Sequence, residues 1–201
     1  MKKKHWLLAG MLLMASNICS AQVKPDSKVG VLLACGAGTL FPEEQGNSFS
    51  NTYDAGLALN IVAYYRYYFS KNIAVEPGLG YMANGWTENF VIGTAGAKVG
   101  YEVKNSFLNI PVTVQYVVDK FTVGAGPEIN YLFRTNSDRY SKDNFNSFSY
   151  GVTGGLDYKF SYFRVGFNYK FGLAQVYNTS ANLFEKKAQC QSLMLSFRYE
   201  L

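Results

Sequence analysis

Over residues 191–201 apolar and polar positions alternate without interruption. Leu193, Leu195, Phe197, Tyr199 and Leu201 fall on one face, and Ser192, Met194, Ser196, Arg198 and Glu200 on the other. A period of two is the period of a strand. The same pattern recurs upstream over residues 29–40, 53–69, 73 to about 86, 107 to about 118, 121–133, 147–159 and 162–173. In residues 53–69, for example, Ala55, Leu57, Leu59, Ile61, Ala63, Tyr65, Tyr67 and Phe69 oppose Asp54, Gly56, Ala58, Asn60, Tyr64 and Arg66. The pattern predicts eight strands. Their connections alternate long and short: 41–52, 70–72, 87–106, 119–120, 134–146, 160–161 and 174–188. Within 87–106, residues 90–92 and 99–103 flank Thr94-Ala95-Gly96, which is compatible with a hairpin continuing outward.

An even strand count, aromatics near strand ends and every short turn on one side together describe an all-β fold. The expectation is a closed eight-stranded antiparallel up-and-down transmembrane β-barrel, with short periplasmic turns and long outer loops. Alternation alone does not separate a lipid-facing wall from a soluble sandwich or a lipocalin-like barrel. The composition of the polar face does. It holds glycine, alanine and asparagine where a water-facing strand would carry lysine, glutamate and threonine, and such small residues suit a crowded lumen. The charged fraction, 16%, is low against a usual 25% or so.

The inward face also carries charge of both signs: Asp54, Glu76, Glu128 and Asp157 against Arg66, Arg164, Lys170 and Arg198, with Lys159 and Glu200 left aside at the rim. A three-residue turn at 70–72 would place Arg66 opposite Glu76. A two-residue turn at Phe160-Ser161 would place Asp157 opposite Arg164. Paired in this way, the charges form a neutral layer that plugs the lumen, a structural network rather than an ion path. Pro77, Pro111 and Pro127 fall within strands at similar depth, and each removes a ladder donor. A bulge or an inward-bound water is expected there.

The N-terminus supplies an address. Lys2, Lys3 and Lys4 precede an apolar run over 6–15, and Cys19-Ser20-Ala21 offers small residues for cleavage. Residues 1–21 thus read as a cleaved signal peptide and 22–201 as the barrel domain, exported to a bacterial outer membrane. Without the three signal lysines, the 19 basic residues fall to 16 against 14 acidic ones. The formal charge of +5 becomes about +2, and no nucleic-acid partner follows from it. Cys35 and Cys190 fall on opposite faces, so no bridge is expected. The sole histidine, His5, lies in the signal segment. Catalysis by histidine-activated nucleophiles and histidine-bearing metal sites is thereby excluded. The expectation is not an enzyme, with no catalytic, cofactor-binding or metal-binding residue.

Three short tracts carry a resemblance: residues 75–81 (VEPGLGY), 109–112 (NIPV) and 124–128 (GAGPE). With them the chain, over about 27–201, resembles the PorT-like outer-membrane β-barrel family of Bacteroidetes, a porin family in name. The resemblance implies an eight-stranded barrel, mostly of unassigned function, with one branch assisting a secretion system. The terminal strand resembles the signal read by the barrel-assembly machinery, carried by Phe197, Tyr199 and Leu201, with Leu201 where an aromatic residue is usual. The expected role is structural or surface-binding, with outer-membrane lipid around the wall and an envelope or extracellular protein partner at loops 41–52, 87–106, 134–146 and 174–188. A secretion accessory is the alternative. A small-solute pore and a periplasmic lipocalin-like binder rank below both.

Overall fold

The computed structural model describes residues 27–42, 52–92, 97–178 and 188–200 of the 201-residue chain. The segment 1–21, the tip 94–96, Leu201 and most of the 41–52 and 174–188 connections lie outside the described residues. Eight strands follow one another: β1 (Lys28–Pro42), β2 (Thr52–Tyr68), β3 (Ile73–Ile92), β4 (Ala97–Val118), β5 (Phe121–Ser137), β6 (Phe148–Phe160), β7 (Phe163–Gln175) and β8 (Ala188–Glu200). Each pairs antiparallel with the next, and β8 returns to β1, closing an eight-stranded barrel. A short 3-10 helix, Lys142–Asn144, lies between β5 and β6.

The faces fall as the pleat requires. Outward side chains such as Leu33, Leu57, Val114, Ile129, Phe148 and Phe167 are exposed, while inward Asn60, Arg66, Asn109, Asp157 and Lys170 are buried. An apolar surface that encircles the whole molecule exceeds anything a soluble monomer leaves in water, which sets aside the soluble barrel and sandwich. Along β5 the outward aromatics Phe121 and Phe133 are about twelve steps of ~3.3 Å apart, so at a tilt of about 40° they bracket roughly 30 Å, the thickness of a bilayer core. The inward glycines make room for opposing side chains. A Cβ on Gly30 would sit 2.5 Å from the Tyr64 ring, and one on Gly38 would collide with the Asn84 amide.

Two expectations of register need correction. Phe160 pairs with Phe163, so Ser161 and Tyr162 form the turn, with Ser161 at φ 59°. Asp157 therefore faces Gly166, and Arg164 faces Lys159. Moving a two-residue turn by one position shifts partners by two, which keeps every side chain on its face and leaves alternation intact. Asp54 is the second. Ala55 pairs with Trp86 but Ala58 with Asn84, so β2 carries one extra residue there. The bulge reverses the faces above it, turning Tyr53 toward the inner apolar cluster and leaving Asp54 exposed, accepting from Asn89 Nδ2 at 2.8 Å. The connection 87–106 is largely strand: β3 and β4 stay paired from Ile73↔Tyr116 to Ile92↔Ala97.

At the prolines the register continues unbroken, so the expected bulge is not there. The ladder is nonetheless interrupted in three successive seams: between Tyr64↔Gly78 and Tyr67↔Val75, between Pro77↔Val112 and Gly80↔Asn109, and between Pro111↔Glu128 and Val114↔Ala125. Pro77, Pro111 and Pro127 stand opposite Tyr65, Gly78 and Val112, whose carbonyls receive no N–H from them. Pro77 also pairs laterally with Val112 and Pro127 with Val152, so the interruptions lie in one row across the wall. The unbroken β6–β7 seam should exchange its amide hydrogens more slowly than this row. Hydrogen exchange of the bilayer-embedded barrel tests it, and equal protection in the two sectors would refute a weakened row.

Candidate functional site

The lumen gathers the polar chemistry of the chain, and its lower end lies beside the short turns. There the ends of β2, β3, β6, β7 and β8 point six buried charges at one another. Arg66 donates from Nε to Glu76 Oε2 at 2.9 Å, as the 70–72 turn implied. Its Nη1 donates to Glu200 Oε1. Arg164 Nη2 lies 3.0 Å from the same Glu200 oxygen, and its Nη1 donates to Thr122 Oγ1 at 3.1 Å. Arg198 Nη1 donates to Glu76 Oε1, and its Nε lies 3.0 Å from Asp157 Oδ2 as an ion pair without hydrogen-bond alignment. Ser196 Oγ completes Asp157 at 3.1 Å. The result is an alternating string, Arg164–Glu200–Arg66–Glu76–Arg198–Asp157, with Lys28 joining Glu200 at 3.5 Å.

A buried charge that finds two opposite partners recovers most of its desolvation cost; one that finds none does not. The four inner members of the string have two such partners each, and its ends, Arg164 and Asp157, have one and add a hydroxyl, Thr122 Oγ1 and Ser196 Oγ respectively. Glu200, which the sequence places at the rim, is the carboxylate that joins Arg66 to Arg164. Its even position put it on the inward face, which was the available signal. Lys28 sits one residue before the first position assigned to a strand.

Higher in the barrel, Lys170 Nζ meets Glu128 Oε2 and donates to Asn109 Oδ1 at 3.1 Å. Asn109 Nδ2 donates to Asn130 Oδ1 at 2.7 Å. This layer divides two cavities of about 30 Å³ each, and Lys170 lines both. The lower one touches Asn60, Tyr64, Thr113 and, at the proline row, Gly78 and Pro111. Asn60 Oδ1 and Tyr64 OH are buried there without a partner among the described residues, and the space admits water, which would satisfy them. The upper one touches Asn84, Asn105 and Cys190. Neither has the size of a small-molecule site, roughly 300 Å³ or more. Among the described residues no group of three or more His, Cys, Asp or Glu is placed to hold a metal ion.

A family model described as the outer membrane protein beta-barrel domain matches residues 21–178. The chain belongs to this family of outer-membrane β-barrels. The matched stretch stops before β8, which closes the barrel. Neisserial surface protein A shares the fold, with a TM-score of 0.55 at 13% identity, over 86% of this chain and 97% of that one. OprG from Pseudomonas aeruginosa aligns with a TM-score of 0.48 at 16% identity, over 86% of this chain and 95% of that one. Comparison with curated proteins finds no match.

The outer end of this outer-membrane barrel closes differently from the lower one. Leu40, Met82, Trp86, Val103, Phe107, Leu132, Val176 and Ala188 form an apolar plug. Phe145, from the β5–β6 connection, folds into it through a lone bridge to Tyr177, and the two rings stack 5.3 Å apart. Above the plug Glu88, fully buried, accepts from Tyr140 OH at 2.7 Å and Tyr177 OH at 3.4 Å. The alternation over 73 to about 86 stops short of Glu88, so the sequence does not mark it as inward. Phe197 and Tyr199 face outward at the lower end, with Phe197 stacked 5.4 Å from Phe163, while Leu201 lies outside the described residues.

Burial, reinforced by the Glu88 carboxylate, raises the pKa of Tyr140 and of Tyr177 above the ordinary tyrosine range. A phenol whose folded pKa is raised contributes stability that is complete below the unfolded value near 10 and declines as pH rises past it. The unfolding midpoint of the wild-type barrel should therefore fall more steeply above about pH 10 than that of Tyr140→Phe. Identical slopes in a pH series would show that this hydroxyl is not coupled to folding.

Proposed function

We propose that this outer-membrane barrel is a closed, non-conducting wall element that works by contact at its outer end and is not an enzyme. The observation that carries the reading is the lumen, filled at three levels by the six-charge string, the Lys170–Glu128 layer and the apolar plug. Supporting it, β3 and β4 run about eleven residues beyond the outward Tyr81, which at ~3.3 Å each and a tilt of about 40° places their hairpin well above a bilayer. Loops that project so far from a rigid wall suit recognition of an envelope or extracellular protein. The tracts at 75–81, 109–112 and 124–128, which meet at the proline row, support a PorT-like branch and with it the reading as a secretion accessory. The segment 1–21 supports export with cleavage after Ala21, and the outward Phe197 and Tyr199 support recognition by the barrel-assembly machinery.

Planar-bilayer recording of the purified barrel tests the closed lumen. No unitary openings are expected at voltages where a water-filled porin conducts, and large regular steps would replace the proposal with a pore. Shortening the β3–β4 hairpin by residues 90–99 separates the contact roles: a barrel that folds but loses cross-links to an envelope protein, with secretion intact, supports surface binding. Loss of secretion together with co-purifying envelope proteins supports the accessory.

A further inference from the structure

Among the described residues, the charged side chains of the outer wall are unevenly placed. On β4 and β5, just above the outward aromatics, stand Lys104 and Arg134. Arg134 is exposed and faces Ser106, while Lys104 faces Asn136, so the two cations are diagonal neighbours on one surface. Lys142, from the 3-10 helix, reaches down until its Nζ lies 5.5 Å from the centre of the Tyr131 ring. Directly below lies an aromatic wall. Tyr131 packs on Phe148 at 5.0 Å and Tyr81 on Phe133 at 6.0 Å, all four exposed. Tyr81 OH meets Ser106 Oγ at 3.1 Å, which fixes the top of the wall beneath Arg134.

The acidic groups on this sector are Glu102, 2.8 Å from Lys104, and Asp138 and Asp143 in the adjoining connection. The Glu102–Lys104 pair is half exposed at both ends, so it contributes little and releases the ammonium readily. Around the rest of the rim, over β7, β8, β1 and β2, the described outward positions include Tyr169, Leu173, Gln191, Phe41, Thr52 and Asp54, and none of these is basic.

We propose that the outer wall of β3–β6 is a docking surface for a phosphorylated lipid of the outer leaflet, with the phosphate on Lys104, Arg134 and Lys142 and the acyl chains on Tyr81, Tyr131, Phe133 and Phe148. A soluble anion would meet the cations alone, above an aromatic wall that already faces lipid. An amphiphile with an anionic head uses both at once, at the height where a leaflet places its headgroups. The proposal rests on the apolar wall facing lipid.

The test uses the full-chain protein folded into phosphatidylcholine vesicles containing either phosphorylated lipid A or the same lipid stripped of phosphate. Lipid retained after mild detergent extraction is quantified by mass spectrometry. Wild type should retain the phosphorylated form preferentially. Each cation near an anionic surface contributes roughly a factor of five, so K104Q/R134Q/K142Q should lose about 100-fold of that preference. Lys120→Gln, in a short turn at the other end, should lose none. Equal retention by wild type and the triple variant would overturn the proposal, as would a wild type indifferent to the phosphate. Inorganic phosphate competing as well as the lipid would reduce the surface to an anion site and also overturn it. Gel mobility of unboiled samples shows that the triple variant is folded. A wild type that folds into neither vesicle would strike at the membrane reading itself.

Discussion

Replacing Glu76 by alanine is expected to lower the stability of the folded barrel by about 3 kcal/mol, toward the lower end of what losing one partner of a buried ion pair costs. The carboxylate is 5% exposed and receives Arg66 on one oxygen and Arg198 on the other. Without it, Arg66 retains Glu200 and Arg198 retains Asp157, but three guanidinium groups then share two carboxylates at a depth where water cannot screen them. Glu76→Gln keeps the volume and one strong acceptor, so a loss of roughly 1–2 kcal/mol is expected for a charge-assisted hydrogen bond turned neutral. Asp54→Ala provides the contrast: exposed and outside the string, it should change stability by less than about 0.5 kcal/mol.

Urea midpoints read from the mobility of unboiled samples would measure all three variants. Equal losses from Glu76→Ala and Asp54→Ala would remove the string as the organising contact of the lower lumen. Arg164→Ala belongs to the same series, and it takes one cation from Glu200, which keeps Arg66 and Lys28, rather than unpairing Asp157. A companion Glu200→Gln substitution should make the Arg164 loss smaller.

Faces were legible in this sequence because the pleat forces a period of two, and any strand with one apolar side must keep its phase. That is why Asp157, Arg66, Glu76, Glu128, Lys170 and Arg198 could be placed in the lumen from alternation alone. Phase is lost where one residue is added. The bulge between Ala55 and Ala58 changed the side of Asp54, and its trace in the sequence is Gly56, where a Cβ would come within 2.6 Å of the Gly85 backbone. Partner choice is a second kind of information, and alternation does not contain it. The Ser161–Tyr162 turn has no glycine or asparagine to mark it, so Asp157 could be slid two residues along β7 without offending any face. Closure supplies the rest. Glu200 and Arg66 are 134 residues apart and become neighbours only because β8 pairs with β1. The apolar plug is hidden for a similar reason: Trp86, Phe145 and Tyr177 come from three separated stretches, and two of these, 134–146 and 174–188, read as loops in the sequence.

Trp86→Ala is expected to open the outer end of the lumen without opening the lower one. Trp86 is 1% exposed and packs edge-to-face on Phe145 at 6.2 Å, with Met82, Phe107 and Leu132 in the same cluster. Beneath it lies the upper cavity, lined by the free thiol of Cys190. Removing a buried indole costs roughly 3–5 kcal/mol where the hole stays dry, and a loss of about 3 kcal/mol raises the population of an unsealed plug more than 100-fold. Cys190 then becomes the reporter. On a Cys35→Ser background, which removes the exposed thiol of the outer wall, a charged maleimide added to the barrel in vesicles should label Cys190 about 100-fold faster in Trp86→Ala than in the parent. Phe145→Ala should act in the same direction, because the ring that stacks on Tyr177 is the one the β5–β6 connection lends to the plug. Neither variant should conduct ions, since the Lys170–Glu128 layer and the six-charge string remain in place below the reporter. Labelling that is unchanged by both substitutions would mean the apolar cluster is not the seal. Labelling accompanied by conductance would mean the charges beneath it are not one either.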